Sequence, residues 1–318
     1  MNVIIRTDAS VQIGSGHVMR CLTVARKLQA AGCHVRFWME PLEGNLIEFV
    51  KSQGLSNIER AEQADLYIVD HYGLGLDWEM SIRPYAKKIA VIDDLAREHD
   101  CDLLLDQNVV PHYETRYDGK VPAHCVKLLG PKYLMMRDEF IETRQQVTKC
   151  NDEVKNLLVF MGGTDPTNET MKILHALKQF TFERVDIVVG NGNPVKSEIE
   201  MICRERCYKF HCQIDYMAKL MLQADFAIGA GGAAMWERCY VGLPSSATIV
   251  ADNQSVTTDY AASLGVVKNL GWHEQVTVET YKQLLQNLSV EEMSEKGLAL
   301  TQNDSPNEWL HEMLELKL

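Results

Sequence analysis

Short apolar runs alternate with helical stripes along the whole chain. Val3, Ile4 and Ile5 form a strand-like run, Gly14 and Gly16 a tight turn, and Val18, Cys21, Leu22, Ala25 and Leu28 recur at helical spacing. The same alternation predicts strands near Val3 to Thr7, Val35 to Met39, Leu66 to Asp70, Ile89 to Asp93, Leu103 to Leu105 and Val126 to Leu129. It resumes near Leu157 to Met161, Val185 to Val189, Lys209 to Cys212, Phe226 to Ile228 and Ala247 to Val250. Strands separated by helical stretches call for parallel sheets with crossover helices, an α/β chain of two Rossmann-like, doubly wound domains. The polar segment from Glu142 to Lys155 reads as the linker. It divides an N-terminal domain over residues 1–142 from a C-terminal domain over 155–318. The stretch from Ser305 to Leu318 mixes Trp309, Leu310, Met313, Leu314 and Leu316 with acids, the pattern of an amphipathic helix free to pack back on the first domain.

Composition narrows the partners. The formal net charge of −12 over 318 residues disfavours nucleic acid and anionic membranes, so any phosphate recognition must be local and a small-molecule substrate is expected. No leader pattern and no apolar run of membrane-spanning length is visible, which predicts a cytoplasmic protein without membrane insertion. Nine cysteines, an odd number, suit a reducing compartment. Cys203, Cys207 and Cys212 match no common zinc spacing, so no metal and no cofactor are expected. No feature announces an oligomer, and a monomer is the default.

The candidate chemistry begins at His17. A histidine at a helix start after the first strand lies where open α/β sheets bind ligands, and imidazole is a suitable proton acceptor near neutrality. Gly14-x-Gly16 lacks the third glycine and the later acid of a dinucleotide fingerprint, and no Walker loop is present. Without the histidine it would be an ordinary strand-to-helix connection. Arg20, one turn on, and the positive helix end are expected to hold His17 neutral. In the second half, Gly162 and Gly163 follow a strand, and Pro166 with Thr167 supply helix-start residues. The better phosphate cradle is Gly229-Ala230-Gly231-Gly232, unless those glycines serve helix packing alone. Glu237, one turn further, suits a ribose diol or is a solvated acid. Asp93, Asp94 and Asp106 end strands and read mainly as caps, and His71 as a structural histidine.

In order along the chain stand Arg6-x-Asp8, Gly14-x-Gly16-His17-x-x-Arg20, Asp70-His71-Tyr72, Gly130-Pro131-x-Tyr133, Arg137-x-Glu139-Phe140, Gly162-Gly163-x-Asp165, Gly229-Ala230-Gly231-Gly232, Trp236-Glu237-Arg238-Cys239, Gly242-Leu243-Pro244 and Asn253-Gln254. Together these resemble the UDP-2,4-diacetamido-2,4,6-trideoxy-β-L-altropyranose hydrolases of pseudaminic acid biosynthesis and the related spore coat polysaccharide proteins of bacilli. The resemblance implies a GT-B fold with an interdomain cleft, similar to the enzyme that adds N-acetylglucosamine to lipid I. It implies His17 as catalytic base, with Arg6, Asp8, Gly14, Gly16, Arg20 and Tyr72 on the sugar side. It further implies UDP held by Gly162, Gly163, Gly229, Gly231, Gly232 and Glu237, with Asn253 and Gln254 near the diphosphate and sugar. Ala233 and Ala234 depart from the family's usual Ser or Thr, which leaves backbone amides to hold phosphate. The expected reaction is metal-independent, inverting hydrolysis at the anomeric carbon. A glycosyltransferase with the same pocket and a sugar-nucleotide binding protein are the alternatives.

Overall fold

The computed structural model describes residues 1–147, 153–290 and 292–316. The chain divides into two compact units, Met1–Met135 with Asn303–Leu318, and Met136–Gln302. The division therefore falls before the expected 142–155 linker, part of which lies outside the described residues.

The first unit is built on a parallel sheet of β1 (Asn2–Thr7), β2 (His34–Trp38), β3 (Ser56–Ile58), β4 (Ala64–Asp70), β5 (Ala86–Ile92), β6 (Leu103–Asp106) and β7 (Val126–Leu129), ordered β3-β2-β1-β4-β5-β6-β7. Its helices are α1 (Gly16–Ala30), α2 (Ile47–Ser52) and α3 (Leu76–Ile82). β1 is buried throughout from Val3 to Thr7, and the apolar stripe of α1, including Val18, Cys21, Leu22, Ala25 and Leu28, closes one face of it. The chain leaves β1 first toward β2 and later returns to its other side as β4, so the strand order reverses at the β1/β4 pair. That reversal opens a crevice at the carboxyl ends, and Thr7 is in register with Asp70 there.

The second unit repeats the plan. After α4 (Asp138–Arg144) come β8 (Asn156–Phe160), α5 (Glu169–Ala176), β9 (Arg184–Val189), α6 (Lys196–Arg206), β10 (Lys209–Cys212), α7 (Met217–Gln223) and β11 (Phe226–Ala230). α8 (Ala233–Tyr240), β12 (Ser245–Ile249), α9 (Ser255–Ser263), β13 (Lys268–Trp272), α10 (Val278–Gln286) and α11 (Met293–Leu300) complete it. The sheet order β10-β9-β8-β11-β12-β13 reverses at β8/β11, and every pairing is parallel.

Two strands escaped the sequence pattern. β3 is three residues long with two of them polar, and β13 carries Lys, Asn and Gly at an edge whose register shifts opposite Ala247 and Thr248. α4 belongs to the second unit because it packs on α7 and α8, and because Arg144 donates to the carbonyls of Tyr240 and Leu298 and to the Thr301 hydroxyl. The chain's last helix, α12 (Glu308–Glu315), belongs to the first unit. Trp309 and Met313 are buried in the core formed by α1 and the sheet.

Candidate functional site

α1 starts directly at the mouth of the β1/β4 crevice. Gly14 takes φ +79°, which lets the chain turn tightly enough for its N–H to reach the Ser10 carbonyl at 2.8 Å and for α1 to begin at Gly16. His17 in the first turn is buried, and its Nδ1 lies 2.6 Å from Asp70 Oδ1. A carboxylate accepts only, so Nδ1 carries the proton and Nε2 is left as the basic nitrogen. Arg20 grips the same carboxylate side-on, with Nε 2.9 Å from Oδ2 and a terminal nitrogen 2.6 Å from Oδ1. Burial opposes ionisation of Asp70, but the Arg20 charge and the His17 hydrogen bond outweigh it and hold the carboxyl well below the usual range. Arg20 and His17 thus share Asp70 Oδ1, and a terminal nitrogen of Arg20 also lies 3.4 Å from His17 Nδ1. The Tyr72 ring meets the imidazole edge-on at 4.4 Å, and its hydroxyl donates to Asp94 at 3.1 Å. Asp94 also faces Arg20 at 3.9 Å.

Arg6 and Asp8 are spent on each other. The arginine's two terminal nitrogens donate to the two Asp8 oxygens at 2.7 and 2.8 Å, and Arg6 also reaches the Trp38 carbonyl. Asp8 further accepts the Glu40 N–H, and His71 Nε2 lies 3.1 Å from it. The Gly73 N–H donates to His71 Nδ1, so the ring presents its Nε2 proton to Asp8. Burial again opposes the charge, and these donors overcome it, leaving Asp8 strongly acidic. Arg6 and Asp8, expected on the sugar side, are thus engaged with each other, with the Trp38 and Glu40 backbone and, through Asp8, with His71.

The other strand-end acids divide in the same way. Asp93 accepts the N–H groups of Leu95 and Arg97 and pairs with the Arg97 side chain, which in turn donates to the carbonyls of His71, Tyr72 and Leu74. Arg97 therefore pins the Tyr72 loop. Asp106 is pushed up to about 6 by burial, against the opposing pull of Arg116, 2.7 Å away.

In the second unit the two glycine turns differ. After β8, Gly162 takes φ +98°, but α5 starts at Glu169 rather than at Pro166, and the side chain of Asp165 accepts the N–H groups of Glu169 and Thr170 at 2.9 Å each. The protein fills that helix end itself, and the helix start expected at Pro166 and Thr167 comes three residues after Pro166. After β11, α8 begins at Ala233, with Gly232 as its N-cap residue and no side-chain cap. Gly229 and Gly231 are required by packing. A Cβ would stand 2.3 Å from the Arg238 guanidinium at the first and 2.1 Å from the Thr258 hydroxyl at the second. The Gly231 N–H is taken by the Thr248 carbonyl, so the donors left to a ligand begin at the α8 terminus. Gln254, at the start of α9, accepts the Val250 N–H through Oε1, and its Nε2 lies 3.4 Å from a Cβ built on Gly232. Asn253 is exposed beside it. Glu237 is paired with Arg137 at 3.1 Å, and burial pushes its carboxyl up.

The comparisons with known proteins agree with this architecture. The UDP-2,4-diacetamido-2,4,6-trideoxy-β-L-altropyranose hydrolase of Campylobacter jejuni is 30% identical over 278 residues, spanning 83% of this chain and 97% of that protein. The chain belongs to this hydrolase family. An uncharacterized protein of Methanocaldococcus jannaschii is 27% identical over 77% of this chain, which spans only 54% of that protein's length. A Helicobacter pylori protein named as both a pseudaminic acid cytidylyltransferase and this hydrolase is 23% identical over 99% of the chain and 56% of its own length. No family model matches. Among solved structures, the MurG of Acinetobacter baumannii superposes with a TM-score of 0.65 at 17% identity, covering 99% of each chain. The UDP-GlcNAc 2-epimerase of Neisseria meningitidis reaches 0.57 at 12% identity, again over 99% of each chain. The fold is GT-B. By family the chain is an enzyme of UDP-sugar processing, and no helix among its described residues is long and apolar enough to cross a membrane.

Asp70 is the family member's residue that sequence reasoning passed over. It was visible as the acid that ends β4, but its meaning depends on β4 lying beside β1, which the linear pattern does not disclose.

Proposed function

We propose that this hydrolase-family member cleaves a UDP-linked 2,4-diacetamido-2,4,6-trideoxy sugar, the altropyranose of its Campylobacter relative's name, at the anomeric C1–O bond. The observation that carries the reading is the Arg20–Asp70–His17 chain, which fixes one tautomer and leaves Nε2 as a base at the mouth of a crevice. In the proposed step the water oxygen attacks C1, its proton passes to His17 Nε2, and the C1–O electron pair leaves with UDP. Asp70 stabilises the imidazolium that forms, and Tyr72 holds one edge of the ring in place. A well-placed base of this kind contributes about a hundredfold to ten-thousandfold. UDP departs as a stabilised anion, so no second carboxylic acid is needed, unlike in ordinary glycosidases. The uncapped terminus of α8, with Gln254 beside it, is the proposed seat of the diphosphate, and Glu237 that of the ribose. Attack from the face opposite the leaving group inverts C1.

The test is incubation with the UDP-linked sugar in ¹⁸O-water without any acceptor. Release of UDP, with the label on sugar C1 and a first-formed anomer opposite to the substrate's, is expected. Label in the UDP phosphate would show P–O cleavage and overturn the mechanism. Turnover that appears only on adding a sugar or lipid hydroxyl would favour the transferase instead.

A further inference from the structure

α8 carries a buried cation that no ion pair among the described residues neutralises. Arg238 is 2% exposed, yet among the described residues no carboxylate lies within ion-pair distance of it. Its sequence neighbour Glu237 is paired with Arg137. One terminal nitrogen donates to the Ala230 carbonyl at 3.0 Å, the other lies 2.3 Å from where a Gly229 Cβ would stand, and Nε has no partner. The guanidinium is therefore pressed against the underside of the Gly229–Gly232 turn, behind the open N-terminus of α8. Such a position is expensive, because a buried, unpaired cation loses its hydration without recovering the energy from a counter-ion. Burial accordingly pulls the guanidinium down to about 10. Nothing about packing demands a cation there, since Met or Leu would fill the same space at lower cost.

We infer that Arg238 is the internal counter-charge for the nucleotide diphosphate, a positioning residue that acts through the Gly229–Gly232 turn without touching the ligand. The inference rests on the proposed seat of the diphosphate at α8. It also suits a helix start formed by Ala233 and Ala234, which offer no side-chain hydroxyl. A fixed positive charge beneath the turn adds to the helix terminus what a side-chain hydroxyl would have added from above. The field falls on the phosphates and spares the neutral base and ribose.

The experiment compares UDP with uridine on wild type, R238Q and R238K, by calorimetry and thermal shift. R238Q keeps a donor for the Ala230 carbonyl and loses only the charge. R238M, of similar volume, takes over the neutral arm if R238Q does not fold. UDP affinity is expected to fall about tenfold or more in the neutral variants, as for loss of a desolvated charge partner. It should stay within a few-fold in R238K, with uridine affinity unchanged in all three. The neutral variants are also expected to unfold no earlier than wild type without ligand, while the UDP-induced rise in Tm shrinks. Equal UDP affinity in a neutral variant, or parallel losses for UDP and uridine, would overturn the inference. Failure of wild type itself to bind UDP would instead remove the proposed function beneath it.

Discussion

The two units share one strand plan and equip the equivalent crevice in opposite ways. At the carboxyl end of β1 and β4, charged side chains crowd in, with His17, Arg20, Asp70, Asp94, Asp8, Arg6 and His71 held by hydrogen bonds between side chains. At the carboxyl end of β8 and β11, side chains are withdrawn. Glycines let helices approach, one helix end is closed by Asp165, and the other is left open. In the proposed function the first arrangement sets a proton's address, which needs directional side chains, and the second receives a multiply charged group, which needs backbone and a fixed field.

The sharpest way to break this contrast is His17→Ala. Turnover should fall by about a hundredfold to ten-thousandfold while UDP affinity stays put, since the nucleotide is assigned to the other unit. A matching loss of UDP binding in a calorimetric titration would erase the division of labour. Asp70→Asn comes next, with kcat lowered about a hundredfold because the amide no longer selects the tautomer. The same change leaves Arg20 without its full partner and should cost about 3 kcal/mol of stability in urea unfolding. Unchanged kcat would mean that His17 needs no orientation.

On the side built from backbone, Gly231→Ala should destabilise the second unit by about 1–3 kcal/mol through its clash with Thr258. Gly232→Ala meets only the Gln254 amide at 3.4 Å and should spare stability while weakening UDP binding. Reversal of that order would place the phosphate contacts at Gly231. A pH test probes the side built from charges. His99, buried beside Glu79 and Asp93, is raised to about 9 because those carboxylates outweigh its desolvation. Its folded pKa exceeds the unfolded value, so its contribution, on the order of 3 kcal/mol, is complete below about pH 6.5 and lost as pH rises through 9. Urea midpoints at pH 6 and pH 10 should differ by more in wild type than in His99→Gln. Smallest of all, Tyr72→Phe removes the bond to Asp94 and should cost about 1 kcal/mol, a few-fold in kcat.

Much of this was legible in the linear pattern. Strand runs such as Val3–Thr7 and Leu66–Asp70, the turn at Gly14, the position of His17 and the amphipathic C-terminal helix all follow from local periodicity and glycine placement. What depended on adjacency across the sheet was not legible. Asp70 gains its role from lying opposite Thr7, Arg6 turns inward because Asp8 and Trp38 meet it there, and Asp165 folds back onto a helix that starts three residues later than Pro166 suggested. Glycines posed a related difficulty. The same letter marks Gly231, needed for Thr258, and Gly232, which heads an open helix, and only the neighbours distinguish them.

The return of α12 to the first unit has a consequence for biogenesis. Trp309 and Met313 are fully buried among the residues of α1 and the sheet, so the last helix completes the core of the first unit. A nascent chain emerging from the ribosome must therefore carry an unfinished first unit, its apolar flank open to chaperones, until the whole second unit has been made. The histidine that is read first is thus seated in a scaffold completed last.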